Sequence, residues 1–252
     1  RDFCLSRGLG DVYKRQARMS AFVQNEKNGL IYMTSPVIGA KHAFSTRFGG
    51  VSEGGLASLN LGFNRGDSDE NVKENFRLIA QAANIPVENI TAGAQDHHTN
   101  VRRVTMKNAG TGIWKPKDME SVDGLVTDEP NLPLLIYAAD CVPLYFYDPI
   151  HHAIGLSHAG WRGTVNGMAK ATVEKMQEEF DTRPEDLLAA IGPSIAKECF
   201  EVDAPCAEEF LALPDSDKFV TDNGNGKFHV DLWACNRAFL FCLLYTSPSP
   251  RD

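Results

Sequence analysis

The stretch Ala138–Thr164 reads Ala-Ala-Asp-Cys-Val-Pro-Leu-Tyr-Phe-Tyr-Asp-Pro-Ile-His-His-Ala-Ile-Gly-Leu-Ser-His-Ala-Gly-Trp-Arg-Gly-Thr. Two runs rich in β-formers, Val142–Tyr147 and Ala153–Ser157, flank Asp148-Pro149. Proline and aspartate set turn geometry, so the stretch predicts a hairpin or tight reversal. Cys141 opens the first run and His158 follows the second. In an antiparallel pair those two positions fall at the same end of the sheet. A thiolate and an imidazole then meet beside a glycine-rich turn carrying Arg162.

Outward from this hairpin, Leu30–Pro36 and Ala43–Thr46 read as strands. Asp67-Ser68-Asp69 supplies N-cap residues for a helix over about Glu70–Ala83, with Val72, Phe76, Ile79 and Ala83 at helical spacing. Ile90–Ala94, Val101–Met106, Leu132–Tyr137 and Leu187–Ile191 read as strands, and Lys107–Glu120 as a polar loop. Val165–Phe180 predicts one amphipathic helix, and Ala204–Leu211 and Asp231–Phe241 look helical. No repeat or linker is visible, so the expectation is a single α+β domain with mixed β-sheets flanked by helices.

The two ends read differently. Codons for Cys242–Arg251 can be chosen so that their reverse complement encodes Arg7–Arg15. One DNA element of sequencing-adapter type, translated on opposite strands, would account for both. We therefore expect residues 1–16 and 242–252 to be non-native tails and residues 19–241 to be the domain. The chain carries 33 acidic and 25 basic residues, a formal charge of −8. With the tails removed, the remainder is more acidic still. That argues against nonspecific nucleic-acid or anionic-membrane binding. No apolar run is long enough to span a bilayer. The cysteines left, Cys141, Cys199, Cys206 and Cys235, form neither a dense disulfide framework nor a Cys-x-x-Cys site. A cytoplasmic setting is the expectation.

Several motifs in order resemble the laccase-domain family. They are Phe-Ser-Thr-Arg-Phe-Gly-Gly-Val-Ser (44–52), Leu-Asn-Leu-Gly (59–62), Asp-Gly-Leu-Val-Thr (123–127), Ala-Asp-Cys-Val-Pro (139–143), His-Ala-Gly-Trp-Arg-Gly-Thr (158–164) and Ile-Gly-Pro-Ser-Ile (191–195). These proteins were first described as multicopper polyphenol oxidases. They were later assigned as zinc-dependent purine nucleoside phosphorylases, and some are called peptidoglycan-editing factors. The resemblance implies a fold of laccase-domain, cysteine-hydrolase-like type. It also implies a metal held by His97, Cys141 and His158, zinc with copper as the alternative. His97, Cys141 and His158 come from separate segments, so spacing alone does not join them. A His2Cys set with a fourth position open suits a catalytic zinc. The family's first ligand lies in a Gln-x-His motif, here Gln95-Asp96-His97. His98 stands where the family usually has a small residue. On a strand the two rings face opposite ways, so one of them is the ligand.

Arg47 and Arg162 adjoin glycines, and a guanidinium fork matches phosphate. The resemblance leads us to expect phosphate or substrate contact from both, with Ser45 and Asn60 completing a polar lining. Asp123 and Asp140 are candidates to orient a ligand or handle a proton. Cys199, Cys206 and Cys235 read as core thiols, Trp161 as packing, and His151 and His152 as solvated turn residues. His42 is as readily a surface histidine as a functional one.

Three function classes follow. The first is phosphorolysis of adenosine, inosine, guanosine or methylthioadenosine, giving base and ribose 1-phosphate, with adenosine deamination as a side activity. The second is copper oxidase chemistry, for which a single His2Cys set is sparse. The third is a cysteine hydrolase acting on peptidoglycan precursors, with Cys141 and His158 as the dyad. The expected partners are purine nucleosides and phosphate, and the expected state is a monomer or homodimer.

Overall fold

The computed structural model describes residues 22–245. Residues 1–16 and 246–252 of the expected tails lie outside the described residues. Strands β1 (Val23–Lys27) and β2 (Leu30–Thr34) pair antiparallel, and β3 (Phe44–Ser45) pairs with β2. Asn28 and Gly29 connect the first two at positive φ, 54° and 77°, as a tight hairpin turn requires. β1 was not foreseen, because its Val-Gln-Asn-Glu-Lys is largely exposed and has no apolar alternation.

Helix α1 (Asp69–Ala83) starts as expected. The Ser68 hydroxyl accepts the Asn71 N–H at 3.1 Å, and Asp69 and Glu70 occupy the first turn, where the helix dipole favours negative charge. Its buried face is Val72, Phe76, Ile79 and Ala80. Strands β4 (Thr91–Ala92), β5 (Val101–Arg103) and β7 (Leu134–Leu135) are shorter than the sequence suggests, and β6 (Gly124–Thr127), noted in the sequence only as a motif, was not read as a strand. Backbone bonds are diverted to loops. Ala94 exchanges bonds with Met119 and Val122, and both backbone groups of Tyr137 are taken by the Gln95 side chain.

The hairpin stands as read, as β8 (Val142–Asp148) and β9 (Ala153–Ala159). With β10 (Leu188–Ile191) they form a five-stranded sheet of order β10-β8-β9-β6-β5, antiparallel except for β5–β6. After β9 the single helix expected over Val165–Phe180 is two: α2 (Trp161–Val165) and α3 (Met168–Phe180). Gly167, at φ 80°, separates them. α4 (Ala204–Leu211) and α5 (Leu232–Tyr245) lie where helices were read. α5 continues past Phe241 and buries Leu244. A third sheet, β11 (Glu201–Asp203), β12 (Val220–Gly224) and β13 (Lys227–Val230), was not foreseen; its strands are short and mostly exposed.

The chain is thus a single α+β domain. Alternate residues of the hairpin serve opposite sides. Leu144, Phe146 and Ala153 join Met168, Val173 and Met176 in the largest core. Tyr145, Tyr147 and Leu156 pack on the other face around Ile38. Cys235 is buried, and burial pushes its thiol up to about 12. Cys206 is half-buried and Cys199 is exposed, so the latter is not a core thiol. His151 is no free turn residue either: its Nδ1 lies 2.8 Å from the buried Asp148 carboxylate. Among the described residues no helix is long and apolar enough to cross a membrane.

Candidate metal centre and active site

Cys141 directly precedes β8, and His158 pairs opposite Pro143 within β9. His158 sits one step along the strand from Ser157, whose hydroxyl meets Thr172 of α3 at 2.6 Å. Alternation therefore turns His158 away from α3. His97 arrives from the loop after β4, not from a strand, and has a left-handed φ of 69°. The buried Asp123 carboxylate shapes that loop. It accepts the backbone N–H groups of Asp96, His97 and His98 at 3.2, 3.0 and 3.1 Å. The same carboxylate accepts Nδ1–H of His158 at 2.8 Å, leaving Nε2 of that ring for a ligand.

The donor atoms of His97, Cys141 and His158 all lie within 4.8 Å of one another. The His97 and His158 rings meet edge to face, with centroids 4.8 Å apart. A Cβ built on Gly160 would stand 3.0 Å from His97 Cδ2 and 3.1 Å from Cys141 Sγ. Glycine is required there if the ligands are to close in, a role that the sequence marked only as a glycine-rich turn. His98 is turned out, with its side chain 68% exposed and paired to Asp96 at 2.8 Å. Bonds from Ser121 and His98 hold Asp96 down at about 2. Burial disfavours a charged His158, but the Asp123 and Cys141 partners outweigh it and raise the imidazole to about 9. Asp123, rather than Asp140, is the carboxylate bonded to His158; Asp140 is exposed.

These residues fit a metal. Two imidazoles and a thiol converge, one imidazole has its tautomer fixed by a buried carboxylate, and the glycine beside them leaves room. The set opens into a cavity of about 1290 Å³ that lies on the sheet face opposite α3. Arg47, Ser45 and Asn60 line the same cavity. Arg47 donates to the Ala57 carbonyl at 2.8 Å. The Asn60 amide is held by Asp67 and Gly62. Arg162 is not brought there. It lies over Trp161, 4.3 Å from the ring centroid, and lines a separate cleft with Cys206 and Glu209. The expected convergence of Arg47 and Arg162 at the metal does not occur within the chain: Arg162 stands in the first turn of α2 and lines the separate cleft, whereas Arg47 lines the metal cavity. Trp161 packs against the main core as read. His42 is half-buried, its Nε2 accepting the Ser35 N–H at 2.7 Å.

Comparison with known proteins agrees with this picture. The family model described as multi-copper polyphenol oxidoreductase laccase matches residues 41–242. The chain is 36% identical over 199 residues to "Purine nucleoside phosphorylase YlmD" of Bacillus subtilis, covering 78% of this chain and 72% of that one. It is 38% identical over 201 residues to "Purine nucleoside phosphorylase" of Bacteroides thetaiotaomicron, covering 78% and 74%. The crystal structure of YlmD from Geobacillus stearothermophilus superposes with a TM-score of 0.79 at 33% identity, covering 87% of this chain and 83% of that one. With the fold, the motifs and the extent of the match in agreement, the chain belongs to the laccase-domain family.

Proposed function

We propose that the chain is a metal-dependent purine nucleoside phosphorylase. Its relatives carry that name, and the observation that carries the reading here is the His97–Cys141–His158 set at one end of a large cavity. Adenosine, inosine, guanosine and methylthioadenosine are the substrates. A phosphate oxygen bonds to C1′ of the ribose as the C1′–N bond breaks, and the bonding pair leaves with the base. Much of the rate in such a transfer comes from positioning.

His97, Cys141 and His158 hold the metal, and zinc fits this donor set; a bound zinc supplies a Lewis acid with one open position. Asp123 keeps the proton of His158 on Nδ1, so that Nε2 stays available as a ligand. Ser45, Asn60 and Arg47 line the substrate's side of the cavity. Arg162, outside that cavity, is left out of the substrate-binding set. Deamination of adenosine is a side reaction of the same site, and the setting is cytoplasmic.

The test is metal analysis of the purified chain together with free-base release from inosine, with and without phosphate. Stoichiometric zinc and phosphate-dependent release are expected. A metal-bearing protein that releases no base would reject the reading. Stoichiometric copper would instead favour oxidase chemistry, since His2Cys also suits a single copper.

One observation favours a second reading. Cys141 and His158 present donor atoms within 4.8 Å of each other, and His158 is itself bonded to Asp123, which is the order of a cysteine nucleophile, base and orienting acid. A protein without metal whose Cys141 is alkylated rapidly would favour that hydrolase.

A further inference from the structure

The metal cavity has a charge pattern of its own. Six cationic side chains line it, Lys41, Arg47, Arg65, Lys73, Lys115 and Lys117, against one carboxylate, Asp69. The chain as a whole has the opposite balance, 33 acidic to 25 basic residues. Elsewhere about half of the described cations, Arg77, Arg103, Lys170, Lys175, Arg183, Lys218 and Lys227, sit in an ion pair with a carboxylate, while Lys27, Arg102, Lys107, Arg162, Lys197 and Arg237 do not. Among the described residues none of the six cavity cations does. Unpaired cations gathered on a concave wall focus a positive potential, and more so in an acidic protein.

Three of the six come from segments that also contribute to one aromatic cluster. Phe63, Phe76, Trp114 and Tyr137 belong to a single cluster beside α1. Lys117 lies over the Tyr137 ring at 5.5 Å, and Arg65 follows Phe63 within one loop. Lys73 precedes Arg77 by four residues on α1, and Arg77 stacks on Trp114 at 5.2 Å. Arg47 and Lys115 spend donors on the carbonyls of Ala57 and Ala109. Arg65, Lys73 and Lys117 make no hydrogen bond to a described protein group, so their donors are available to a ligand.

We propose that Arg65, Lys73 and Lys117 form an anion subsite for a phosphate dianion, which enters either free or as the phosphomonoester of a nucleotide. The subsite rests on the metal cavity being where substrate binds. It moves the phosphate-recognition role from Arg162 to the wall formed by α1 and the 115–117 loop. Charge-assisted contacts of this kind are each strong enough to change affinity by about tenfold.

The test is calorimetric titration of the metal-loaded full chain with inorganic phosphate, adenosine and adenosine 5′-monophosphate. It is run on the unaltered chain, on Arg65→Gln/Lys73→Gln/Lys117→Gln, and on a control, Lys170→Gln/Lys218→Gln, whose cations lie outside the cavity. The triple variant is expected to weaken phosphate or the monophosphate about tenfold or more, with adenosine affinity and metal content unchanged. The control should bind all three as the unaltered chain does. Loss confined to inorganic phosphate identifies the free ion as the ligand, and loss confined to the monophosphate identifies the nucleotide. If the triple variant unfolds, the single variants Arg65→Gln, Lys73→Gln and Lys117→Gln replace it; at least one should weaken binding of phosphate or the monophosphate about threefold or more, and unchanged affinity in all three would overturn the subsite. Equal affinities in the unaltered chain and the triple variant would overturn the subsite, as would no binding of either phosphate species to the unaltered chain. Phosphate binding without base release would sink the phosphorylase reading while leaving the subsite standing.

Discussion

The two faces of the β8–β9 hairpin are built from the same strands and differ by one step along the chain. Toward α3, Leu144, Phe146, Ala153 and Ala159 are buried in an apolar core, and the polar Ser157 is satisfied by Thr172. Away from it, Pro143, Tyr145, Leu156 and His158 look into a cavity that six cationic side chains also line. The first face tolerates no polar group without a partner, because burial of an unpaired one costs about 1–3 kcal/mol. The second keeps polar atoms open to a ligand and meets the stability requirement through the first. Period-two alternation is thus what separates packing from chemistry.

The division can be broken from the packed side with the largest effect. Phe146 is 1% exposed. Phe146→Ala should destabilise the fold by about 3–5 kcal/mol in urea unfolding, with metal still bound under conditions where the variant is folded. Loss of metal from the folded variant would show that the faces are coupled. On the opposite face, Cys141→Ala should lower metal affinity by about 100-fold or more, read by competition with a chelator, because a direct ligand is worth at least what its supporting residues are. Full metal retention would remove Cys141 from the set. Asp123→Asn should act less strongly, lowering metal affinity about tenfold. It keeps the volume and a hydrogen bond while losing the charge that fixes the His158 tautomer. If Asp123→Asn matched Cys141→Ala in its effect, Asp123 would have to be a ligand itself.

A smaller effect belongs to the turn end of the hairpin. Burial pushes the Asp148 carboxyl up, but bonds from Thr182, His151 and two backbone N–H groups outweigh it, so its folded value is lowered. A lowered carboxylate stabilises the fold above its unfolded value, about 4, and the contribution disappears as pH falls through the folded one. Urea midpoints should therefore drop on acidification below about pH 4, and drop less in Asp148→Asn. An unchanged acid slope in that variant would assign the loss to other carboxylates.

How much of this was legible in the sequence depended on whether the signal was local. The hairpin, α1 and β10 were readable, because Asp148-Pro149, the Ser68 cap and apolar spacing each act within a few residues. The break at Gly167 was present in the sequence, yet the apolar spacing of Val165 with Met168 bridged it. β12, Val-Thr-Asp-Asn-Gly, has only its first residue buried and offers no period to detect. At the site, Cys141 and His158 follow from hairpin geometry. His97 needed the family motif, because its approach depends on a left-handed φ and on Asp123 gathering three backbone N–H groups from far along the chain. The cavity cations come from separate segments and could not be grouped without the fold.

The smallest effect lies where the sequence and the fold part company, at Arg162. Its place in His-Ala-Gly-Trp-Arg-Gly-Thr, four residues past His158, suggested a phosphate ligand near a helix N-terminus. Arg162 does stand in the first turn of α2, but its guanidinium rests on Trp161 at 4.3 Å beside Cys206 and Glu209, outside the metal cavity. An exposed cation–π contact of this kind contributes about 0.5–1 kcal/mol. Arg162→Ala should therefore lower stability by roughly that amount, with metal content unchanged and the apparent KM for phosphate unaltered within about twofold. Arg162→Lys keeps the charge over the ring and should lose less stability than the alanine variant. A large rise in the phosphate KM at constant stability would mean that Arg162 reaches the substrate after all, and the two clefts would then have to act as one site.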